Sequence, residues 1–234
     1  MILGEIIQRI QSLYSKGVHS DDSRLSSRHI YNKLLTVRAK VLTQEANKKQ
    51  RLSEWNYQTI PCVEMIKVPA HDCPCIPPFG CKILRSKHKL PEPLTSKFGN
   101  LIQSVVTIDR AQKIDAVNLN SFNAQKGNKY TSKKMQYFIQ DGYLYISTSK
   151  NLKVVMVVAL FEDPLAAEEF KGFCDTDCED CTTCTDPMLD DFPMDTDLIE
   201  TLIELSTNEL LGMFGQGLED LSNNAKDSLE NQSK

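Results

Sequence analysis

The chain has 234 residues, 41% of them hydrophobic, with 27 Lys+Arg against 31 Asp+Glu and a formal net charge of −4. With only 10 Gly and 10 Pro, this composition excludes wholesale disorder, collagen-like repeats and low-complexity scaffolds. The totals speak against a strongly basic nucleic-acid binder, and the length is enough to bury a core as one large domain or two modest ones.

The first element is a short amphipathic helix, because Ile2, Ile6, Ile10 and Leu13 recur at helical spacing. Gly17 is placed to end it in a left-handed conformation, and Ser20-Asp21-Asp22-Ser23 reads as a turn of capping side chains. Ser26 is the expected N-cap of a second, long helix running to about Ser53. Its apolar stripe is Ile30, Leu34, Val37 and Val41, widened by Tyr31, Leu35 and Leu42, with Lys33, Lys40, Lys48 and Lys49 opposite. The two helices are expected to pack as an antiparallel hairpin.

From Thr59 to Phe161 the helical period gives way to short β-like runs and turns. Residues 62–68 alternate with period 2 and stop at Pro69. Two β-prone runs, 137–140 and 143–146, flank Asp141-Gly142, the pair that a type I′ hairpin turn prefers. Residues 152–161 read as a strand buried on both faces, and Pro-rich loops fall at 75–80 and 90–94.

After the strand, Pro164 opens a short helix ending at Lys171, followed by a Cys- and Asp-rich loop. Asp197 is the expected cap of a further helix with a stripe of Leu198, Leu202 and Leu205, flanked by Ile199 and Ile203; Glu200 would complete a weak capping box. Beyond Gly215-Gln216-Gly217 the residues are polar, with Leu218, Leu221 and Leu229 as sparse anchors. The expected class is therefore α+β: a helical hairpin over 1–55, an inserted antiparallel β module over 56–160, and an acidic helix with a C-terminal assembly arm over 161–234.

Charge follows these divisions. Residues 1–55 are net +5, residues 56–159 net +8, and residues 160–234 net −17. A chain so divided suggests that its acidic end meets a basic surface, for instance on a neighbouring copy; a solvated acidic tail is the plainer alternative. Glu5 interrupts any signal-peptide core, and the longest apolar run, 154–161, is 8 residues, against roughly 20 for a membrane span. The expectation is a soluble protein made inside a cell, whose eight cysteines are thiols or metal ligands in preference to disulfides.

Two cysteine sets invite chemistry. Cys174, Cys178, Cys181 and Cys184 are four soft ligands within a short loop, a candidate zinc site; against it stand Asp175, Asp177, Glu179 and Asp180 and the lack of nearby His. Cys73, Cys75 and Cys81, with Cys62 upstream, form a weaker set. Free thiols in loops are the bland reading of both. His19, His29, His71 and His88 show no paired ligand spacing, no Gly-rich phosphate loop follows a strand, and no nucleophile motif occurs. Neither a catalytic residue nor a cofactor requirement is expected. The basic run Lys82, Arg85, Lys87, His88 and Lys89, and a second one of Lys126, Lys129, Lys133 and Lys134, read as solvated faces or as docking surface for an acidic or phosphate-bearing partner.

Three segments together resemble a known family. They are the run Gly17-Val18-His19-Ser20-Asp21-Asp22-Ser23-Arg24-Leu25 onward to Leu35, Asp72-Cys73-Pro74-Cys75 leading to Gly80-Cys81-Lys82-Ile83-Leu84-Arg85-Ser86-Lys87, and the hairpin at Asp141-Gly142. Over residues 1–160 the chain resembles the head-to-tail connector, or adaptor ring protein, of short-tailed crAss-like bacteriophages. The resemblance implies a structural virion protein at the head-to-tail interface, assembled in the host bacterial cytoplasm. It also implies a closed homo-oligomeric ring, a dodecamer matching the portal, around a channel for genome DNA, with the portal and the next tail-ring protein as partners and no membrane. The alternatives are a cytosolic zinc-stabilised binding module and an internal virion cargo protein.

Overall fold

The computed structural model describes residues 1–15, 25–48, 52–70, 82–126, 129–130, 134–148, 151–171 and 186–214. Two compact units divide the chain: Met1–Gln44 with Thr185–Lys234, and Glu45–Cys184. The class is mixed α+β, with a seven-stranded closed barrel in the second unit.

The helical unit is built from both ends of the chain. Helix α1 spans Leu3–Tyr14 and α2 spans Ser27–Asn47. Ser26 caps α2 as its spacing predicts: its Oγ accepts the His29 N–H at 3.3 Å, satisfying one of the donors that a helix start leaves orphaned. Ile30, Leu34, Val37 and Val41 are all buried. The helix stops at Asn47, earlier than the expected Ser53, and a 3-10 turn at Glu54–Asn56 precedes the first strand. In α1 the buried face is Leu3, Ile6, Ile7 and Ile10, whereas Leu13, expected in the stripe, is 51% exposed: it lies in the last turn, past the packed part.

Helix α5, Thr196–Phe214, begins before the expected cap. The Asp195 carbonyl accepts the Ile199 N–H at 3.1 Å, which makes Asp195 the cap, while Asp197 sits in the first turn, where its charge complements the helix dipole. The buried face is Ile199, Leu202, Ile203, Ser206, Thr207 and Leu210, so Leu198 and Leu205 flank the packed stripe instead of forming it. The Thr207 hydroxyl donates to the Ile203 carbonyl at 2.8 Å, which lets a polar residue occupy an apolar face.

Helix α1 lies against α5 and against a 3-10 turn at Pro187–Leu189. The chain ends are tied by backbone: the Leu3 N–H donates to the Asp190 carbonyl and the Phe192 N–H to the Met1 carbonyl, both at 3.0 Å. Gly4 permits this approach, because a Cβ there would stand 2.8 Å from the Met188 carbonyl oxygen.

The barrel strands are β1 Gln58–Pro69, β2 Lys82–Ser86, β5 Ile102–Thr107, β6 Lys113–Ala116, β7 Gln136–Gln140, β8 Tyr143–Ser147 and β9 Val154–Ala159; β3 Thr95–Ser96 and β4 Gly99–Asn100 form a separate ribbon. Around the barrel the order is β1-β2-β8-β7-β6-β5-β9, and closure leaves no free sheet edge in it. The antiparallel module expected from the sequence is thus closed, and it contains a parallel pair, β6 with β7. A parallel pair needs a crossover, here the stretch carrying α3, Leu119–Lys126. The β7–β8 turn is the expected type I′, with φ of 52° at Asp141 and 79° at Gly142. Pro61, which cannot donate to a ladder, falls where the β1–β9 register slips between Ile60 and Val63.

Inward residues Ile60, Val63, Leu84, Val105, Ile114, Leu144, Ile146, Val155 and Val157 make the core. Helix α4, Pro164–Lys171, starts at the expected proline, with Asp163 Oδ1 accepting the Leu165 N–H at 2.9 Å. It adds Ala167 and Phe170 to the core, and Gln58 Nε2 donates to the Pro164 carbonyl at 3.1 Å. Among the described residues no helix is long and apolar enough to cross a membrane.

Candidate assembly surfaces

Cys174, Cys178, Cys181 and Cys184 of the candidate zinc set, and likewise Cys73, Cys75 and Cys81 of the weaker set, lie outside the described residues. Among the described residues no group of three or more His, Cys, Asp or Glu is placed to hold a metal ion. Cys62 corrects the thiol-or-metal expectation, since it is disulfide-bonded. Gly17, the 20–23 turn, His19, His71, the 75–80 loop, Lys133 and the residues beyond 214 also fall outside the described residues. His29 serves the start of α2, its Nδ1 lying 2.9 Å from Ser26 Oγ.

In the helical unit, charge ties helices together. Arg9 donates two parallel bonds to Glu200, at 2.6 and 2.9 Å, a bidentate pair between α1 and α5. Glu209 of α5 takes Lys33 and, at 3.6 Å, Lys40, both from α2. Hydrogen bonding from Lys33 holds the Glu209 carboxyl below its ordinary range, against an opposing push from burial. Arg38, placed on the stripe face of α2, is completely buried. Its Nη2 donates to the Pro193 carbonyl at 3.3 Å and its guanidinium lies 5.6 Å from the Phe192 ring centroid. Sequence reading had no reason to count an Arg as core; only its place one residue after Val37 points inward. The acids Asp186, Asp191, Asp197 and Glu204 are exposed.

In the barrel unit the first basic run resolves into distinct roles. The outward row across three strands is Ile66, Arg85 and Tyr145. Lys87 is taken by Glu64 at 2.6 Å, and this contact lowers the Glu64 carboxyl. Arg85 lies with its guanidinium carbon 4.4 Å from the Tyr143 ring centroid, and Lys89 Nζ is 5.8 Å from the same ring. The aromatic partner absent from the linear run is supplied across strands by Tyr143, 58 positions beyond Arg85 in the numbering; only the register of β2 with β8 reveals it. Beyond Arg85 the outer face continues as an aromatic cluster, with Phe138 stacked on Tyr145 at 5.0 Å and Phe122 of α3 edge-on to Phe138 at 4.8 Å. Of the second basic run, Lys129 and Lys134 are exposed.

A groove of about 440 Å³ opens in the same unit, lined by Phe98, Ile102, Val117, Leu119, Tyr137 and Ile139 among others. Phe98 is 60% and Leu119 42% exposed, so apolar side chains stand open to solvent in a groove that Asn100 and Asn118 also line.

Compared with known proteins, the chain matches the family model described as phage tail ring protein 2, that of crAss-like phages, over residues 5–231. No curated protein matches it.

Proposed function

Because this chain belongs to the family of crAss-like phage tail ring proteins, we propose that it is one subunit of a closed ring, a dodecamer, that joins the capsid portal to the tail. In this reading the ring surrounds the channel through which genome DNA passes, contacts the portal on one side and the next tail-ring protein on the other, and assembles in the host bacterial cytoplasm before residing in the virion. The observation that carries it is the separation of charge: net +8 over residues 56–159 against −17 over residues 160–234. A ring closes through a heterologous contact, in which one patch meets a different patch on the next copy, and unlike charges on one chain supply such a pair. The protein folds in this reading without a bound metal or cofactor.

Electron microscopy of the purified protein, alone and mixed with portal rings, tests the proposal. Rings of twelve stacked on portals are expected; a stable monomer that ignores the portal overturns the adaptor role. Metal analysis finding about one zinc per chain would favour instead a structural site at the Cys174–Cys184 set.

A further inference from the structure

We infer that the outer barrel face centred on Arg85 is a socket for the acidic face of α5 from a second copy of the chain. The inference rests on the ring reading and specifies which surfaces meet. Arg85 points away from the core, between Leu84 and Ser86, which are buried. Its guanidinium carbon lies 4.4 Å from the Tyr143 ring centroid, its Nε is buried without a hydrogen-bond partner, and no described carboxylate lies within ion-pair distance of it. Lys87, its neighbour on the same run, is by contrast already neutralised by Glu64.

A guanidinium held against a ring loses little further freedom on binding, which suits its Nη groups to capture of a carboxylate. Lys89 places a second cation at the same ring, and Ile66, 36% exposed, adds an apolar rim. The socket therefore asks for a paired acidic surface with some apolar character.

The chain itself carries one. Residues 186–209 contain eight acids and no Lys or Arg. Within α5, Glu200 and Glu209 are occupied by Arg9 and by Lys33 and Lys40, whereas Asp197 and Glu204 are exposed. They stand seven residues apart, two turns along one helix face, about 10 Å by the rise of a helix. Leu211, 39% exposed, extends that face by two more turns. Duplex DNA fits less well: tracking phosphates takes several free cations, while one of the three on this face is paired and Tyr143 is covered by Arg85.

Sedimentation and electron microscopy of the full chain, wild type and charge-reversed, test this. Arg85→Glu is expected to weaken self-association at least about tenfold, since an unpaired or repelled charge at a contact costs on that scale. Asp197→Lys with Glu204→Lys should do the same, and combining all three substitutions in one chain should restore rings. Arg85→Gln, checked for folding by circular dichroism, gives an intermediate loss and separates contact from misfolding. A photo-crosslinker at Ile66 should capture peptides of residues 196–214 from another copy. If wild-type rings form and Arg85→Glu leaves them intact, the socket is wrong while the ring reading survives. If Lys113→Glu, a reversal elsewhere on the barrel, weakens rings equally, bulk charge is responsible and the socket is again wrong. Crosslinks to added duplex DNA in place of α5 reassign the face to nucleic acid, and a wild-type chain that never self-associates overturns both.

Discussion

The two units solve the problem of holding a chain together in opposite ways. The barrel comes from one continuous stretch, and its cohesion is a ring of backbone ladders around a core of Val, Ile and Leu. The helical unit takes residues from both chain ends; two backbone bonds join residues 1–3 to 190–192, but helices form no ladder with one another, so side chains hold them together. That is why it holds a buried Arg38, a bidentate Arg9–Glu200 pair and a Glu209 shared by two lysines. A unit tied by side chains is the one that substitution and pH should loosen selectively.

The largest expected effect separates the two. Leu34, completely buried on α2, loses its contacts and leaves a cavity in Leu34→Ala, at a cost of roughly 2–5 kcal/mol. Hydrogen exchange should then show α1, α2 and α5 losing protection while β1 and β9 keep theirs. Ile146→Ala, equally buried in the barrel, should give the reverse. Barrel amides that loosen equally in Leu34→Ala would show one cooperative body and dissolve the comparison.

How much of this was legible in the sequence depends on the range of the interaction. The α2 stripe, its Ser26 cap, the Asp141-Gly142 turn and the Pro164 helix start are set within a few residues, and the structure has each of them. The paired face of α1 required knowing what packs there, so Leu13 was miscounted. In α5 apolarity pointed to Leu198 and Leu205, while the face that packs includes Ser206 and Thr207, hidden by their polarity. Closure of the barrel was out of reach, because β1 pairs with β9 across most of the unit and β6 pairs with β7 in parallel. The same holds for Arg85 on Tyr143, which is a consequence of register.

Two glycines sharpen the comparison at a smaller scale. In an exposed helix Gly→Ala gains about 1 kcal/mol. Gly4→Ala should lose stability instead, by about 1–2 kcal/mol, because the new Cβ meets backbone oxygen of Met188 at 2.8 Å and overpacking costs on that order. Thermal melts of the variant check the sign. In the barrel, Gly142 has φ of 79° but only ordinary contacts with Lys89, so Gly142→Ala costs about 1 kcal/mol through backbone strain alone. A neutral Gly4→Ala would show that the two chain ends are not closely fitted.

The smallest effect is also the most diagnostic, since acid should act on the two units with opposite sign. Glu209 has its carboxyl lowered from 4.5, first by the Lys33 hydrogen bond. A depressed acid gives stability that is complete above the unfolded value and is lost as pH falls through the folded one, so the helical unit weakens below about pH 4.5. Glu162 of the barrel unit is raised from 4.5, first by burial and then by the neighbouring charge of Glu92. There the native state binds the proton more tightly, so stability falls as pH rises from the unfolded value through the folded one and is regained on acidification. Glu64, lowered by Lys87, pulls the barrel the other way, but solvent screens that surface pair. The Glu209 pairs are partly exposed, with side-chain accessibilities of 19%, 33% and 57% across Lys33, Glu209 and Lys40, so Glu209→Gln should cost no more than about 1 kcal/mol at neutral pH. Exchange protection of α2 and α5 amides, followed from pH 7 to pH 3, should decline less in Glu209→Gln than in the wild type, whereas Glu162→Gln should raise barrel protection at neutral pH and flatten its gain in acid. If Glu209→Gln retains the full acid-induced loss of helical protection, the lysine pairs are not what makes that unit pH-sensitive.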